Sequence, residues 1–587
     1  MSLFNNSQMM GASGAGTYEI ERSLRFNSDD STRLTRTPSS SADDQIQTYS
    51  FWCKRCVVDE AHYVITAWNG YNTDRIGFTN DGQFFVEFKD GSTTEAEWHS
   101  DNKHYDPSAW YHVVVAFNTT LATENHRMRA YINGEEITDW DLDNDVSQNY
   151  ELKGFGQSGK YQVMGAIAMS ASSHQNNFNG YIAEFHFIDG AQKVPGDFGK
   201  IDPATGQWIP IEYKGAYGSQ GWYLNYSDNS NTTAGTLGAD SSGNGLNWTP
   251  VNFSVAAGAG NDSSLDTPTN NFATINADTV FRVDGFDSER TISNGNLAIS
   301  GATNNAGDSI YGATMAFPLT GKWYVEVNVT TLGTAGGNEG GPLIGITDIP
   351  GPSINSKSKM IRADGKVATT GNAGGAGNSQ FSTTFAENIA QGDVWQLAYD
   401  ADNRYVYFGK SNSWADGSGN YDESTFTDAE PHATQPTAGE PQLLIFCAPY
   451  SSASGISYQF DFNFGQRAFA HTPPTGYKKL CTKNLPVPTI KKGTDHFNTI
   501  LYTGNNYNGT RAITGLDFNP NLVWSKARSQ ASAGQIYDSV RGYGADKEFR
   551  PDNNQAEGAE DTAQYGYMTA LDNGFNLVTG SAGAGNG

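Results

Sequence analysis

The stretch FNGYIAEFHFIDG, residues 178–190, decides the fold prediction for this chain. Its odd-numbered positions hold Tyr181, Ala183, Phe185 and Phe187. Its even-numbered positions hold Ile182, Glu184, His186 and Ile188. Such alternation predicts a strand half-buried in a sheet, because successive side chains point to opposite faces. Glu184 and His186 share a face, which suggests a catalytic pair, a metal site or an ordinary cross-strand pair. No third group lies near them in sequence, so we expect Phe185 and Phe187 to point inward, and Glu184 and His186 to point toward solvent or a neighbouring strand.

The composition extends the β prediction to the whole chain. With 587 residues the chain is too long for one core, and roughly three or four domains are expected. The 66 glycines and the 12% of aromatic residues suit short strands joined by tight turns. Charged residues make up only 17%, a poor composition for long helices. The sequence therefore predicts an all-β protein of tandem antiparallel β-sandwiches.

The charge of the chain limits its partners. There are 37 Lys and Arg against 63 Asp and Glu, a formal net charge of −26. A chain this acidic repels a phosphate backbone, so we expect no nucleic-acid partner. It has no apolar run long enough for a transmembrane helix, and its first residues lack the basic and apolar regions of a secretory signal. We therefore expect synthesis in the cytoplasm without membrane insertion, and release by lysis or on a particle.

Successive strand signals carry a resemblance over the first part of the chain. They are SLRFNSDDSTRLTR (23–36), TYSFWCKR (48–55), WYHVVVAF (110–117), RAYINGEEI (129–137) and FNGYIAEFHFIDG. In this order they resemble a laminin-G/concanavalin A-like jelly roll, with an extension that carries the domain over residues 18–255. Residues 1–17 lack periodicity and are predicted to be a tether or docking peptide.

Two further modules follow in the predicted organisation. KWYVEV (322–327), LAYDADNRYVYFGK (397–410) and FNFGQRAFAHTPPTGYKKL (462–480) resemble a SPRY-like β-sandwich, assigned to residues 266–480. Residues 481–494 are predicted to be a linker, and residues 495–587 a C-terminal β module. The chain stops at GSAGAGNG, directly after a strand signal, so we expect the natural protein to be longer.

The order of these modules resembles structural proteins of tailed bacteriophages, notably marine ones. The resemblance implies a virion protein, a tail fibre or similar appendage, whose N-terminus docks onto other virion proteins. It also implies a homotrimer that binds a glycan or protein receptor on the host surface. Two alternatives are a capsid decoration or connector protein with no receptor role, and a polysaccharide depolymerase.

Two turn-rich stretches are candidates for sugar binding, because aromatic rings stack on pyranose faces and Asn or Asp side chains bond hydroxyls. The alternative for both is packing or a subunit contact. The candidate residues are Trp68, Asn69, Tyr71, Asn72 and Asp74 in the first stretch, and Trp414, Asp416, Tyr421 and Asp422 in the second.

Four aspartates alternate in DWDLDND, residues 139–145. On a strand, Asp139, Asp141, Asp143 and Asp145 share one face. Oxygen-rich clusters suit calcium, which laminin-G-like domains often carry, although the EF-hand pattern is absent. A charged edge strand that discourages edge-to-edge pairing accounts for the same residues. Ca²⁺ is the one cofactor that the sequence suggests.

Two other motifs are better explained by structure than by chemistry. GFGQSGK, residues 154–160, matches two phosphate-loop patterns, but the apolar run after it predicts a strand where a helix is needed. We therefore predict a glycine-rich hairpin turn. CKRC, residues 53–56, has metal spacing, but a strand there places the two sulfurs on opposite faces.

Catalytic motifs give no support to an enzyme. The chain lacks a GxSxG elbow, an HExxH pair and an SxxK motif with partners. Glycosidases of the concanavalin-like fold carry paired carboxylates alternating along one strand. The nearest candidates, Glu95 with Glu97 and the aspartates of residues 139–145, lack the flanking residues of such a site. We predict a binding protein without catalytic residues.

Overall fold

A computed structural model gives the fold. It describes residues 18–70, 73–170, 172–282, 291–302, 309–333, 342–347, 359–368, 381–423, 426, 429, 431, 439, 442–448, 457–504, 509–528, 534–552, 554–559 and 562–580. These residues contain forty β-strands and one short α-helix, α1 (Thr562–Tyr565). The all-β prediction is confirmed. No helix among the described residues has the length and apolarity that a membrane crossing needs.

The chain divides into two compact units. The larger unit holds the residues up to 487 except 202–207, and the smaller holds 202–207 and 488–587. The larger unit contains two β-sandwiches, each with its own apolar core. The finer predicted boundaries, at 255, 266, 480 and 495, stay predictions.

Two eight-stranded antiparallel sheets form the first sandwich. Sheet A runs β10 (Glu135–Glu136), β9 (Met128–Ile132), β8 (Trp110–Asn118), β3 (Ile46–Arg55), β15 (Gly180–Asp189), β1 (Ser23–Phe26) and β20 (Ser263–Ser264), with β18 (Trp222–Leu224) paired to β15. Sheet B runs β11 (Trp140–Asn144), β7 (Thr93–Lys103), β6 (Gln83–Asp90), β5 (Thr73–Phe78), β4 (His62–Trp68), β12 (Tyr161–Met164), β2 (Arg33–Arg36) and β19 (Thr249–Val251). Two small hairpins are β13 (Ile167–Ala168) with β14 (His174–Gln175), and β16 (Gly199–Ile201) with β17 (Trp208–Pro210).

Alternating side chains of both sheets build the core of the first sandwich. Phe51 and Val113 of sheet A share one apolar cluster with Ile76, Val86 and Trp98 of sheet B. The residues directly before and after each of these side chains face outward, as expected for a sheet with one face toward a core. The outer face of sheet B is therefore free to carry polar groups.

A bulge in β15 changes which side chains point inward. Ala183 pairs with Trp52 and His186 pairs with Ser50, so β15 has one residue more than β3 between these pairs. Glu184 takes up the extra residue with a φ of 49°. Ile182 points into the core before the bulge, and Phe185 and Phe187 do so after it.

Of the two predicted directions for Glu184 and His186, toward solvent or toward a neighbouring strand, the structure excludes the first and agrees with the second. Both side chains are buried, because the segment after β15 folds back over the outer face of sheet A. Strand β18 pairs with β15 there, and Phe198 and Tyr213 pack on Ile188. The predicted inward direction of Phe185 and Phe187 is confirmed.

The second sandwich of the larger unit is again built of two antiparallel sheets. Sheet C runs β21 (Ile275–Arg282), β24 (Ser309–Phe317), β34 (Gln442–Ala448), β26 (Leu343–Thr347), β27 (Lys359–Arg362), β28 (Lys366–Ala368) and β29 (Phe381–Thr384). Sheet D runs β22 (Thr291–Ser293), β23 (Ala298–Ala302), β35 (Ser457–Asn463), β25 (Lys322–Leu332), β30 (Val394–Asp400), β31 (Tyr405–Lys410), β32 (Ser413–Ala415) and β33 (Tyr421–Glu423).

The smaller unit has two short sheets over one small core. Its strands are β36 (Thr510–Thr514), β40 (Gly574–Val578) and β39 (Tyr567–Leu571) in the first sheet, and β37 (Leu522–Ser525) and β38 (Gln535–Asp538) in the second. Ile513 and Phe575 of the first sheet pack with Val523 and Tyr537 of the second.

Candidate functional site

An aromatic row crosses the outer face of sheet B. Tyr63 of β4 pairs with Gly77 of β5, Gly77 with Phe85 of β6, and Phe85 with His99 of β7. The rings of Tyr63 and Phe85 meet edge to face at 5.6 Å, and those of Phe85 and His99 lie 5.7 Å apart. Gly77 separates the first two by a full strand, and its lack of a side chain lets the two rings meet above the sheet. We call Tyr63, Phe85 and His99 the aromatic row.

A charged row lies beside the aromatic row. Arg75, Glu87 and Glu97 are direct cross-strand neighbours on β5, β6 and β7. The two oxygens of Glu87 bind Arg75 Nε at 3.0 Å and Lys89 Nζ at 2.8 Å, and Glu97 Oε1 lies 3.1 Å from His99 Nε2. The Arg75 guanidinium also lies over the Tyr63 ring, 5.7 Å from its centre. We call Arg75, Glu87, Lys89 and Glu97 the charged row, and both rows together the polar-aromatic face.

The β13–β14 hairpin borders this face. The hydroxyl of Thr66 on β4 donates to the carbonyl of Ala166 at 2.9 Å, and the hydroxyl of Thr73 on β5 donates to that of Ala168 at 2.5 Å. These bonds hold the hairpin over the part of sheet B next to the face. Trp68 and Tyr161 pack against it and lie partly exposed at this border.

The polar-aromatic face offers fixed donors and acceptors beside the half-buried rings of Tyr63 and His99, with Phe85 buried between them. Its charged side chains are held by partners on the same strand or a neighbouring strand, so little conformational entropy remains to be lost when a ligand binds. A glycosidase needs a carboxylic acid that protonates the leaving group. Glu87 has both oxygens bound by cations, which suits it to hold Arg75 and Lys89 in place. The geometry favours recognition of a polar ligand with an apolar side.

The first predicted sugar-binding stretch is only partly accessible. Trp68 is half-buried against the β13–β14 hairpin, and Asn69 is buried and donates from Nδ2 to the carbonyl of Lys89 at 2.8 Å. Tyr71 and Asn72 lie outside the described residues. Asp74 points into the core, so its predicted contact with a surface ligand is wrong.

Asp74 is the anion that the glycine-rich stretch 154–160 binds. Its Oδ2 accepts the backbone N–H groups of Gly154 at 2.9 Å and Phe155 at 3.3 Å, and its Oδ1 accepts that of Lys89 at 3.0 Å. Burial raises the pKa of Asp74 to about 7, against the three N–H donors, which lower it. The backbone N–H groups of a phosphate-loop pattern thus serve an internal carboxylate.

The second predicted sugar-binding stretch forms packing and turn contacts. Trp414 is buried, and its ring packs on that of Phe426 at 4.7 Å. Tyr421 is also buried, in the core of the second sandwich. Neither ring is open to a ligand, so the prediction that they stack on a sugar is wrong. Tyr421 points into the core, and Trp414 points to the other face of sheet D, where Phe426 and Tyr477 cover it.

Asp416 and Asp422 complete this stretch. The Oδ1 atom of Asp416 accepts the backbone N–H groups of Ser418 at 2.7 Å and Asn420 at 3.0 Å, which closes a turn. Asp422 lies in β33, and its side chain is outside the described part of the structure.

The four alternating aspartates are not brought together as calcium ligands. A bulge in β11 between Trp140 and Leu142 breaks the alternation of Asp139, Asp141, Asp143 and Asp145. Asp141 accepts from Gln83 Nε2 at 3.0 Å, and Asp145 from Trp98 Nε1 at 3.1 Å. Among the described residues, no group of three or more His, Cys, Asp or Glu side chains is arranged to hold a metal ion. Strand β11 is the edge of sheet B, which agrees with the alternative of a charged edge strand.

A buried serine–histidine pair under the β16–β17 hairpin has the wrong tautomer for catalysis. His112 Nε2 lies 3.0 Å from Ser50 Oγ, and Trp208 Nε1 donates to His112 Nδ1 at 2.9 Å. An indole N–H only donates, so Nδ1 accepts and the ring proton lies on Nε2. His112 therefore donates to Ser50 and cannot take its proton. Burial lowers the pKa of His112 to about 3, which keeps the ring neutral.

Glu184 and His186 are locked in a tyrosine network. The two oxygens of Glu184 accept the hydroxyls of Tyr18 and Tyr223, each at 2.7 Å. His186 stacks on the Tyr223 ring at 4.3 Å, and its Nδ1 lies 2.9 Å from the Tyr217 hydroxyl. Burial and the Glu184 carboxylate raise the pKa of Tyr223 above its usual value. This network fixes Tyr18 and, through Tyr217 and Tyr223, the extension to sheet A.

Comparisons with known families cover both ends of the chain. Residues 27–194 match a family described as the concanavalin A-like lectin/glucanases superfamily. Residues 492–587 match a family described as a domain of unknown function (DUF7483). Neither match spans half of the chain. The first confirms the concanavalin A-like part of the resemblance. No curated protein matches the chain.

Solved structures resemble parts of the chain weakly. They include a heptameric SAP-like pentraxin from Limulus polyphemus, with 14% identity, a TM-score of 0.24, and 30% of this chain and 80% of that one covered. The SPRY domain of human HERC1 has 16% identity and a TM-score of 0.21 over 30% and 91%. Domains LG4–5 of the mouse laminin alpha1 chain have 10% identity and a TM-score of 0.25 over 77% and 90%. All three scores lie below 0.5 and bear on no function.

Sequence reasoning missed the polar-aromatic face. The signal was present in QFFVEFKD, residues 83–90, where Phe85, Glu87 and Lys89 alternate. It was also present in Glu97 and His99, two residues apart on β7. These local patterns do not predict the order of the strands, which places the pairs side by side.

Proposed function

We propose that this protein is a non-catalytic carbohydrate-binding protein that recognises its ligand through the polar-aromatic face. The observation that carries the proposal is an aromatic row beside a charged row, within residues that match a lectin and glucanase superfamily. Tyr63 offers its ring to the apolar side of a pyranose, and Arg75, Lys89 and Glu97 exchange hydrogen bonds with its hydroxyls. Catalysis has no part in this proposal, because Glu87, His112 and Glu184 are each held by internal partners.

The setting that we propose is a virion. The module order set out in the sequence analysis supports a tailed-phage tail fibre or similar appendage, with the N-terminus docked on other virion proteins. Fibres of this class are usually homotrimers, so each particle would present many copies. Weak glycan contacts then gain strength through repetition.

The binding test uses the full chain and a printed array of neutral and acidic polysaccharides. Arg75→Ala is the test variant, and Arg129→Ala is its matched control. Arg129 also pairs with a carboxylate, that of Glu136, and also lies over a tyrosine ring, that of Tyr131, but on sheet A. We expect Arg75→Ala to weaken binding about 10- to 100-fold, the range for a lost hydrogen bond to a charged group, and Arg129→Ala to change it less than about twofold. Equal loss in both variants, or no polysaccharide bound by the wild type, would overturn the proposal.

Two further measurements separate the alternatives. Release of reducing ends from a bound polysaccharide would establish a depolymerase and overturn the non-catalytic reading. Soluble protein that blocks adsorption of the corresponding phage to its host would support a fibre over a capsid decoration protein. Adsorption that is unaffected by a saturating amount of protein would contradict the receptor role.

A further inference from the structure

The smaller unit carries an exposed aromatic platform on its second sheet. Trp524 of β37 pairs with Ile536 of β38, and Ile536 forms a bridge with Phe549. Direct cross-strand partners share a face, so the three side chains lie in a row on one side of the sheet. The Trp524 side chain is 66% exposed, and Phe549 is 37% exposed. We call Trp524, Ile536 and Phe549 the Trp524 platform.

Strand alternation fixes the outward direction of the platform. In β37 (LVWS) the side chain of Val523 lies in the core of the unit, together with its partner Tyr537. Trp524 must therefore point to the opposite side of the sheet. When a tryptophan is exposed to this degree, the free energy that its burial would contribute to stability is lost. Contiguous exposed apolar residues commonly mark a binding site.

Two ion pairs flank the row. Lys526 Nζ lies 3.3 Å from Asp552 Oδ2 on one side. On the other side Arg541 Nε donates to Asp538 Oδ2 at 2.6 Å, and the guanidinium lies over the Phe549 ring at 5.0 Å. The same combination, an arginine that binds a carboxylate and lies over a ring, occurs on the polar-aromatic face with Arg75, Glu87 and Tyr63. The combination also occurs at Arg129, Glu136 and Tyr131 on sheet A, so it does not by itself mark a binding site.

The size of the platform favours a small ligand over a protein. The open surface of its three side chains and of the neighbouring Leu522 is on the order of 300 Å², given the 150–250 Å² that an aromatic side chain can bury. A stable protein interface needs about 800 Å² on each partner. Two strands and the bridged segment at Phe549, each about 4.8 Å from the next, make a row of about 10 Å, the length of one or two pyranose rings.

Charge also selects the ligand. Residues 488–587 hold eight Lys and Arg against ten Asp and Glu, so this part of the chain is nearly neutral while the whole chain carries −26. A nearly neutral surface with its charges already paired favours neither a phosphate backbone nor an anionic membrane. A neutral saccharide fits, because its C–H face stacks on an indole and its hydroxyls bond to paired charges.

We infer that the Trp524 platform is a second carbohydrate-binding site, which takes one or two sugar rings of a neutral saccharide. The inference rests on the proposed function for the ligand class, and assigns a role to the residues that match a domain of unknown function. Two sites on one chain that engage the same polysaccharide raise the apparent affinity without any new contact, provided that the polymer reaches both.

The test measures binding of the full chain to the same polysaccharide array, with substitutions at two exposed apolar positions of the smaller unit. Trp524→Ala removes the platform ring, and Val540→Ala removes a side chain that is 95% exposed. Both substitutions are at the surface and should leave the thermal midpoint of the smaller unit within about 4 °C of wild type. We expect Trp524→Ala to weaken polysaccharide binding at least fivefold, Trp524→Phe to keep part of it, and Val540→Ala to leave it unchanged.

The variants distinguish the two proposals. If Arg75→Ala weakens binding and Trp524→Ala does not, the second site is overturned and the proposed function stands. If Trp524→Ala weakens binding and Arg75→Ala does not, the platform is supported and the polar-aromatic face is overturned. If the wild type binds no polysaccharide on the array, both fall.

Discussion

At the scale of single residues, Asp74 shows how a buried charge is balanced. Its carboxylate lies in the core of the first sandwich and accepts three backbone N–H groups. Desolvation favours the protonated form, and the N–H donors favour the ionised form. Burial is the larger effect, and the pKa of Asp74 rises to about 7. The folded protein therefore binds a proton here that the unfolded chain releases at a lower pH.

This difference predicts how stability depends on pH. In the unfolded chain an aspartate releases its proton near pH 3.9, so between about 3.9 and about 7 only the folded state holds it. Raising the pH through this window therefore lowers stability, by up to about 1.4 kcal/mol per pH unit. We expect the unfolding free energy of wild type to fall with pH relative to Asp74→Asn and to level off above about 7, as measured by denaturant unfolding at several pH values.

The Asp74→Asn variant carries its own control. In the variant, the side-chain NH₂ group would face backbone N–H groups whose hydrogen bonds a carboxyl oxygen accepts in wild type. The variant should therefore be less stable than wild type by about 1–3 kcal/mol at low pH. A pH-independent difference between the two proteins would show that Asp74 stays ionised throughout.

Sequence reasoning could reach only half of this contact. The glycines of residues 154–160 predicted a hairpin turn; the stretch does turn, but β11 before it and β12 after it are not paired, so it is not a hairpin. The anion that this stretch binds lies 80 residues earlier in the chain, on β5. No local pattern connects the two, because the pairing follows from how the sandwich closes.

At the scale of elements, β15 shows where alternation fails as a predictor. Of the two alternating sets in residues 181–188, one is wholly apolar and the other is half apolar, so the pattern predicts a strand but does not mark the extra residue at Glu184. The bulge there moves Phe185 and Phe187 into the core while Ile182 also lies in it. By contrast, β6 and β7 alternate without ambiguity near Glu87 and Glu97, and that part of the polar-aromatic face was open to prediction.

The bulge predicts an unusual order of stability at residue 184. Glycine is ordinarily less stable than alanine within a strand by about 0.5–1 kcal/mol. Glu184 has a φ of 49°, where an alanine Cβ costs about 1–2 kcal/mol. Both Glu184→Gly and Glu184→Ala lose the two tyrosine hydrogen bonds, so the difference between them isolates the backbone. We expect Glu184→Gly to be more stable than Glu184→Ala by about 1 kcal/mol in denaturant unfolding.

A neighbouring position serves as the control for this comparison. Ala183 lies one residue before Glu184 in the same strand, and its φ is not positive. Ala183→Gly should show the ordinary loss of stability. If glycine is the less stable residue at both positions, the bulge conformation is not what sets the order.

At the scale of the whole molecule, a buried ion pair ties the first sandwich to the chain that enters the second. Lys54 of β3 donates to Asp266 Oδ2 at 2.9 Å, to Asn271 Oδ1 at 2.8 Å and to the carbonyl of Phe272 at 3.4 Å. Asp266 Oδ1 also accepts from Trp110 Nε1 at 3.1 Å. Every ammonium proton of Lys54 thus has an acceptor. The sequence predicts that the second module starts at residue 266, but Lys54 and Asp266 lie 212 residues apart and no local signal joins them.

The Lys54–Asp266 pair predicts how much thermal stability the larger unit gains from this link between its first sandwich and the chain that enters the second. Lys54→Met leaves the Asp266 carboxylate buried without its cation, which typically costs about 3–5 kcal/mol, whereas replacing both partners by apolar residues is often close to neutral. In calorimetry of the full chain, we expect Lys54→Met to lower the transition of the larger unit by several degrees. Lys54→Met with Asp266→Leu should recover most of the loss. Lys103→Met, which breaks the exposed pair with Asp81, should change little. If Lys54→Met melts at the same temperature as Lys103→Met, Asp266 finds another partner and the pair does not hold the connection. If the double variant melts no higher than Lys54→Met, the loss comes from packing around Lys54 and its charge is not the cause.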